Sequence, residues 1–263
     1  MKGLLATPRP RLFAHRGGAA LAPENTLEAF DAAARMGITA FELDVRLTSD
    51  GEVVVFHDED TVRTTGTPGT IEDRTLAEVQ ALDAGASFTP DGGRTHPWRG
   101  RGVRIPTLRA LLQRHPRAAV NVEAKHPSPR LASALVEVIR ACDAAERACI
   151  GSEIDEQGER IRALCPEAAH FLPTEAATCH VLAAKSGADP GSCPAGWDVA
   201  DLPLRWNGML VADRDVIAWF HARGVQVQVW TVDDPDDMRA LLDAGVDGIM
   251  TDRPDLGLEV LAR

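Results

Sequence analysis

Residues 40–57 read AFELDVRLTSDGEVVVFH. The run Ala40–Leu47 has the composition of a strand, and Ser49-Asp50-Gly51 reads as a turn into Glu52–His57, which pairs back on that strand or extends it. Side chains two apart on a strand share a face, so Glu42 and Asp44 point the same way. Carboxylates turned inward without partners would be costly in a core. The segment therefore predicts a strand whose carboxyl end enters a polar centre.

The same kind of run recurs along the chain. Strands are expected at Leu12–His15, Ala40–Leu47, Ala119–Lys125, Ala148–Ser152, His170–Pro173, Trp197–Leu202, Val225–Val232 and Gly248–Thr251. Between them, helical periodicity is clearest at Leu27–Met36, Leu131–Ala144, Glu156–Leu164, Asp213–Arg223 and Pro235–Ala244. Gly37, Gly224 and Gly245 stand where helices would stop. Eight strands alternating with helices over 263 residues fit one closed parallel barrel, a TIM-type (β/α)₈ fold spanning 1–263. A doubly wound open sheet is the runner-up, but Gly17-Gly18 is a weak version of the glycine-rich turn it wants.

One stretch breaks the rhythm. Asp83–Ile105 reads DAGASFTPDGGRTHPWRGRGVRI, too long for an ordinary connection in a compact domain. The wider span, 58–106, reads as an insertion after the second strand, over the barrel mouth, with a short helix at Leu76–Leu82. Its Arg94, Arg99, Arg101 and Arg104 read either as a solvated surface loop or as a basic lid that attracts an anionic substrate.

Bulk properties narrow the function. A formal charge of −11 argues against nucleic acid and anionic membranes as partners, and a bound phosphate would need local cations. No apolar run approaches a membrane span and no signal-peptide core follows Met1, so a cytoplasmic protein without a membrane anchor is expected. The five cysteines contain no C-x-x-C pair and read as reduced thiols.

Polar residues gather at the carboxyl ends of the expected strands, where barrels place their chemistry. His15-Arg16 ends the first strand, Glu42 and Asp44 lie on the second, His57 ends the hairpin run, Glu123 and Lys125 share a face of the third, and Trp230-Thr231 ends the seventh. One acid with one base would read as a buried ion pair. Three acids, two cations and two histidines at one mouth read as a site. Glu42, Asp44 and Glu123 suit one hard divalent cation, Mg²⁺ or Ca²⁺. His15 and His57 suit proton transfer near neutral pH, and Arg16 and Lys125 suit phosphate oxygens.

Taken in order, these residues resemble the glycerophosphodiester phosphodiesterase family. The resemblance rests on His15-Arg16-Gly17, Pro23-Glu24-Asn25-Thr26, Glu42-Leu43-Asp44-Val45, Thr48-x-Asp50-Gly51, Val55-Phe56-His57-Asp58 and Arg63-Thr64-Thr65-Gly66. It continues through Ile105-Pro106-Thr107-Leu108, Asn121-Val122-Glu123-x-Lys125, Val229-Trp230-Thr231-Val232 and 247–254, DGIMTDRP. It implies a TIM-type barrel with an insertion after the second strand, and a divalent cation (Mg²⁺, Ca²⁺ or Mn²⁺) on Glu42, Asp44 and Glu123. It also implies acid–base roles for His15 and His57, phosphate contacts for Arg16 and Lys125, and release of sn-glycerol 3-phosphate and an alcohol from a small glycerophosphodiester substrate. Attack by the neighbouring glycerol hydroxyl, through a cyclic phosphate, is the implied route.

Other matching residues read as structural: Asn25 as the cap of the first helix, Glu24 as an anchor of its loop, and Asp252 as a cap of the last helix or a support behind the site. Trp230 is expected against the glycerol carbons. The chain departs from the family in following Ser152 with Glu153 rather than an aromatic, in lacking tyrosine, and around the sixth strand. Lysophospholipids or glycerophosphoinositol are the alternative substrates. A non-catalytic phosphate-binding barrel would have lost a histidine or an acid, and an amidohydrolase would want His-x-His where His15-Arg16-Gly17 stands.

Overall fold

The computed structural model describes residues 3–188, 191 and 193–262. Its strands are β1 (Arg11–His15), β2 (Ala40–Leu47), β3 (Val53–Val55), β4 (Ala119–Ala124), β5 (Ala148–Gly151), β6 (Val199–Pro203), β7 (Arg205–Trp206), β8 (Met209–Leu210), β9 (Gln226–Trp230) and β10 (Gly248–Thr251). Seven of them form one parallel ladder in the order β5-β4-β2-β1-β10-β9-β6, with helices outside, a nearly closed barrel.

The expected fifth strand, His170–Pro173, is the exception. Residues 169–171 make only single parallel bridges, Ala169 to Cys149 and Phe171 to Val199, and these close the ring between β5 and β6. Side chains take over bonds that a ladder would make. The His170 ring lies 2.8 Å from the carbonyls of both Ile150 and Cys165, and the Asp198 carboxylate accepts from the His170 backbone N–H at 3.0 Å.

The hairpin reading of 40–57 is realised. Thr48 N–H bonds the Glu52 carbonyl at 2.9 Å, Gly51 takes φ +94°, and β3 runs antiparallel on β2 with Val45 opposite Val55. Register then assembles the polar layer: His15 lies opposite Glu42, Glu42 opposite Asn121, and Asp44 opposite Glu123.

Outward-facing residues such as Ala14, Phe41, Leu43 and Val122 pack against the helices in the main core. The barrel floor is a separate cluster in which Leu4 and Leu5, from the 3₁₀ turn Gly3–Ala6, meet Cys149, Phe171 and Val199. Leu4 is fully buried there, so its truncation to Ala should cost about 2–5 kcal/mol.

Helices form near their expected places, at Leu27–Arg35, Pro129–Ala141, Asp155–Leu164, Arg214–His221 and Pro235–Ala244. Asn25 is not the first cap. Thr26 is, its hydroxyl accepting from Ala29 N–H at 3.3 Å, while Asn25 sits one residue earlier in the left-handed region at φ +56°.

Residues 58–106 carry short helices at Val62–Thr65 and Leu76–Ala81 and a small core of their own, where Ile71, Val79, Ala84, Val103 and Ile105 meet Val54 and Phe56. Asp83–Ile105 is thus a pinned segment. The Asp83 carboxylate accepts from Gly85 N–H at 3.0 Å and Gly100 N–H at 2.7 Å.

The cysteine reading needs a correction. Cys179 and Cys193 form a disulfide, with Cα atoms 5.6 Å apart. Cys179 lies on the helix Thr174–Ser186, and the chain after it folds back so that the ring of the next residue, His180, meets the Pro194 carbonyl at 2.9 Å. That return is invisible in the spacing of the cysteines. Cys142, Cys149 and Cys165 remain thiols.

Candidate active site

A cavity of ≈130 Å³ opens at the carboxyl ends of the barrel strands, room for about ten waters at roughly 10–15 Å³ each. All eight residues singled out from the sequence line it: His15, Arg16, Glu42, Asp44, His57, Glu123, Lys125 and Trp230. The wall also contains Asn121, Glu153, Phe171 and Asp201. Among the described residues, none of the four arginines expected to form a lid lines this cavity.

Each histidine is held by a carboxylate through Nδ1. His15 Nδ1 lies 2.6 Å from Asp252 Oδ1, and His57 Nδ1 lies 2.6 Å from Asp58 Oδ1. Such a partner orients the ring and leaves Nε2 for proton exchange. Asp252 therefore backs the site rather than capping the last helix. Burial alone would lower the His15 pKa, but Glu42, 3.7 Å from Nε2, and Asp252 carry it above the ordinary value. Burial dominates at His57 and pushes it down.

The acids and cations interlock. Lys125 Nζ lies 2.7 Å from Glu123, 3.5 Å from Asp44 and 3.9 Å from Glu153. Arg16 Nε lies 3.3 Å from Asp44, and its Nη1 lies 3.1 Å from Glu24. Asn25 donates to Asp44 at 3.0 Å. It belongs to this network, and its left-handed backbone aims the amide there.

Five carboxylates, Glu42, Asp44, Glu123, Glu153 and Asp201, share the wall with two permanent cations, Arg16 and Lys125. Burial, ahead of that imbalance, sets how these acids hold their protons. Burial, with Asp44 beside it, pushes Glu42 up to about 7. Burial pushes Glu123 up to about 8 against the pull of Lys125, and Asp201 up to about 7 against its bond from Asn121. Asp44 goes the other way: burial would raise it, but Lys125 and Arg16 hold it at about 2.

This donor set fits a hard dication in chemistry, because it offers carboxylate oxygens that outnumber the two cations beside them. Its spacing is not that of an assembled ligand shell. Among the described residues no three His, Cys, Asp or Glu side chains are grouped closely enough to ligate an ion, and Lys125 bridges Asp44 and Glu123.

Several of these roles were missed in the sequence. Asn121 was detectable by parity, since it shares a face with Glu123. Asp58 directly follows His57. Asp201 lies on the poorly matching sixth strand and carried no signal. It accepts from Asn121 at 2.7 Å through Oδ2, while its buried Oδ1 has no partner among the described residues.

Comparison with known proteins agrees with the geometry. The family described as "Glycerophosphoryl diester phosphodiesterase family" matches residues 15–256. A Mycobacterium tuberculosis protein named probable glycerophosphodiester phosphodiesterase 2 is 36% identical over 255 residues, covering 94% of this chain and 89% of that protein. The crystal structure of a glycerophosphoryl diester phosphodiesterase domain from M. tuberculosis superposes with a TM-score of 0.84 at 23% identity, covering 97% of this chain and 100% of that one. An Oleispira antarctica phosphodiesterase, solved with the product sn-glycerol-3-phosphate, has a TM-score of 0.76 at 24% identity, with 97% of each chain covered. Among the described residues no helix is long and apolar enough to cross a membrane.

Proposed function

Because this chain belongs to the glycerophosphoryl diester phosphodiesterase family and is a phosphodiesterase by that membership, we propose that it hydrolyses small glycerophosphodiesters to sn-glycerol 3-phosphate and an alcohol. The observation that carries the reading is the pair of carboxylate-held histidines, His15 with Asp252 and His57 with Asp58, lining one cavity with Arg16 and Lys125. The product bound by the O. antarctica protein of the same fold is in keeping with this substrate class.

Arg16 and Lys125 take the phosphate oxygens, Arg16 through its fork and Lys125 as a point charge. One imidazole takes the proton of the glycerol hydroxyl next to the ester as that oxygen bonds phosphorus. The other gives a proton to the departing alcohol oxygen as its bond to phosphorus breaks. Water then opens the cyclic phosphate with the two roles reversed. Trp230, half-buried at the end of β9, offers an apolar wall for the glycerol carbons. Glu42, Asp44 and Glu123 would hold one divalent cation, Mg²⁺ or Ca²⁺, with Mn²⁺ a further candidate. That ion, when bound, supplies charge to offset the phosphodiester.

The test is release of sn-glycerol 3-phosphate from glycerophosphodiesters in a coupled assay, with His15→Ala and His57→Ala. Each variant should lose about 10²–10⁴ in kcat, the range of positioned proton transfer. A folded double variant near the wild-type rate would assign both histidines to structure.

A further inference from the structure

The Arg63-Thr64-Thr65-Gly66 stretch has no part in the chemistry above, and Arg63 does not line the cavity. It is the second residue of the helix Val62–Thr65, and its side chain is 49% exposed. Position alone suggests a solvated surface arginine. The contacts do not. Its Nη1 and Nη2 meet the two oxygens of Glu24 at 2.6 and 2.7 Å. Its Nε and Nη2 meet the two oxygens of Asp58, the latter at 3.0 Å. One guanidinium thus forks onto two carboxylates, an arrangement that a lysine point charge cannot copy.

Both carboxylates reach onward into the site. Asp58 Oδ1 holds His57 Nδ1 at 2.6 Å, and Glu24 Oε1 accepts from Arg16 Nη1 at 3.1 Å. The result is a continuous chain, His57–Asp58–Arg63–Glu24–Arg16. Its two ends are a proposed proton-transfer group and a proposed phosphate ligand. Without Arg63, Asp58 would keep only the His57 bond and lose the fork that fixes its place, and Glu24 would be left to Arg16 alone. The base of the helix is fixed independently of this side chain. Asp60 accepts from Val62 N–H at 2.6 Å, and the Thr61 hydroxyl donates to the Thr67 carbonyl at 2.6 Å.

We propose that Arg63 is a positioning residue for the reaction, setting the His57 imidazole and the Arg16 guanidinium in register with each other through Asp58 and Glu24. This rests on the roles given to His57 and Arg16 above. Displacement of reacting groups by about 1 Å can cost about 10²-fold in rate, so the loss should fall on kcat as well as KM.

The experiment uses the full chain with Arg63→Ala, Arg63→Gln and Arg63→Lys, read in two ways. Kinetically, Arg63→Ala should lower kcat/KM by about 10–100-fold, as loss of an outer support typically does. Arg63→Lys should recover little, because it lacks the fork. Added guanidinium, able to enter the half-exposed gap, should recover part of the Arg63→Ala loss. In parallel, NMR titration of the His57 ring should show its midpoint moving to higher pH in Arg63→Ala and Arg63→Gln. A nearby positive charge is gone, and Asp58 is left to the imidazole. If Arg63→Ala does not fold, Arg63→Gln and Arg63→Lys carry both readings. An unmoved His57 midpoint, or kcat/KM within about threefold of wild type, would overturn the assignment. If the wild-type enzyme releases no sn-glycerol 3-phosphate, the functional reading falls, and the His57 titration alone decides the role of Arg63.

Discussion

Removing the Asp252 carboxylate separates catalysis from folding more cleanly than removing a histidine. Asp252 Oδ1 meets His15 Nδ1 at 2.6 Å, and the two side chains are only 27% and 12% exposed, so solvent screens the contact weakly. A hydrogen bond with a charged partner is worth about 1.5–3 kcal/mol. At ~1.4 kcal/mol per tenfold in rate, Asp252→Ala should lose about 10–150-fold in kcat/KM. The local backbone does not depend on that side chain. Asp252 N–H and the Thr251 hydroxyl both donate to Asp233 Oδ1 at 2.8 Å, and Ala20 N–H bonds the Asp252 carbonyl at 3.2 Å. The urea midpoint and far-UV spectrum should therefore stay near wild type while sn-glycerol 3-phosphate release falls. Asp252→Asn, which keeps the shape and removes the charge, should lie between Asp252→Ala and wild type. A well-folded Asp252→Ala variant within about threefold of wild-type kcat/KM would show that His15 needs no carboxylate partner, and the paired-histidine reading would lose half its basis.

Chelation should abolish turnover, and Mg²⁺, Ca²⁺ or Mn²⁺ should restore it; full activity in metal-stripped enzyme would remove the cation from the proposal. Asn25→Gly loses the bond to Asp44 but suits φ +56°, whereas Asn25→Ala also strains the backbone. Asn25→Ala should thus be the less stable by about 1 kcal/mol in urea unfolding, and equal midpoints would argue against the left-handed conformation. Asp201 has a folded pKa raised by burial to about 7, against about 3.9 unfolded. The folded state therefore binds more protons between those values, and this group's contribution to stability is lost as pH rises from about 4 to about 7. Urea midpoints of Asp201→Asn should gain on wild type across that window, and parallel pH curves would refute the burial of that carboxylate.

The barrel was legible because its period is written locally. Ala40–Leu47 alternates an outward apolar face with inward Glu42 and Asp44, and the observed strand has those same bounds. Pro235–Ala244 likewise carries its start and stop in Asp234 and Gly245. The reading failed where side chains from elsewhere replaced local bonding. His170–Pro173 has the composition of a strand, yet the His170 ring and the Asp198 carboxylate occupy its surroundings and leave only bridges. Asn25 has the residue type of a cap, but Thr26 beside it has one too, and only the chain direction decides which faces the helix.

The site divides along the same line. Its inward residues follow from parity and strand ends, so all eight reach one cavity. Of their partners, Asp58 is adjacent to His57 in sequence, but Asp252 follows from closure of the ring, which no local pattern encodes. β10 pairs with β1, Ala14 opposite Thr251, and this brings Asp252 beside His15 across 237 residues of sequence. Glu24 and Arg63 stand 39 residues apart and meet only because the insertion folds on a core of its own. Residues proposed to act on substrate sit on the barrel strands or just beyond their ends, where backbone geometry fixes them in advance. Those that orient them come from loops whose placement depends on the finished fold. An altered insertion can therefore change the precision of the site while every residue in the cavity stays the same, a consequence that Arg63 exposes to measurement.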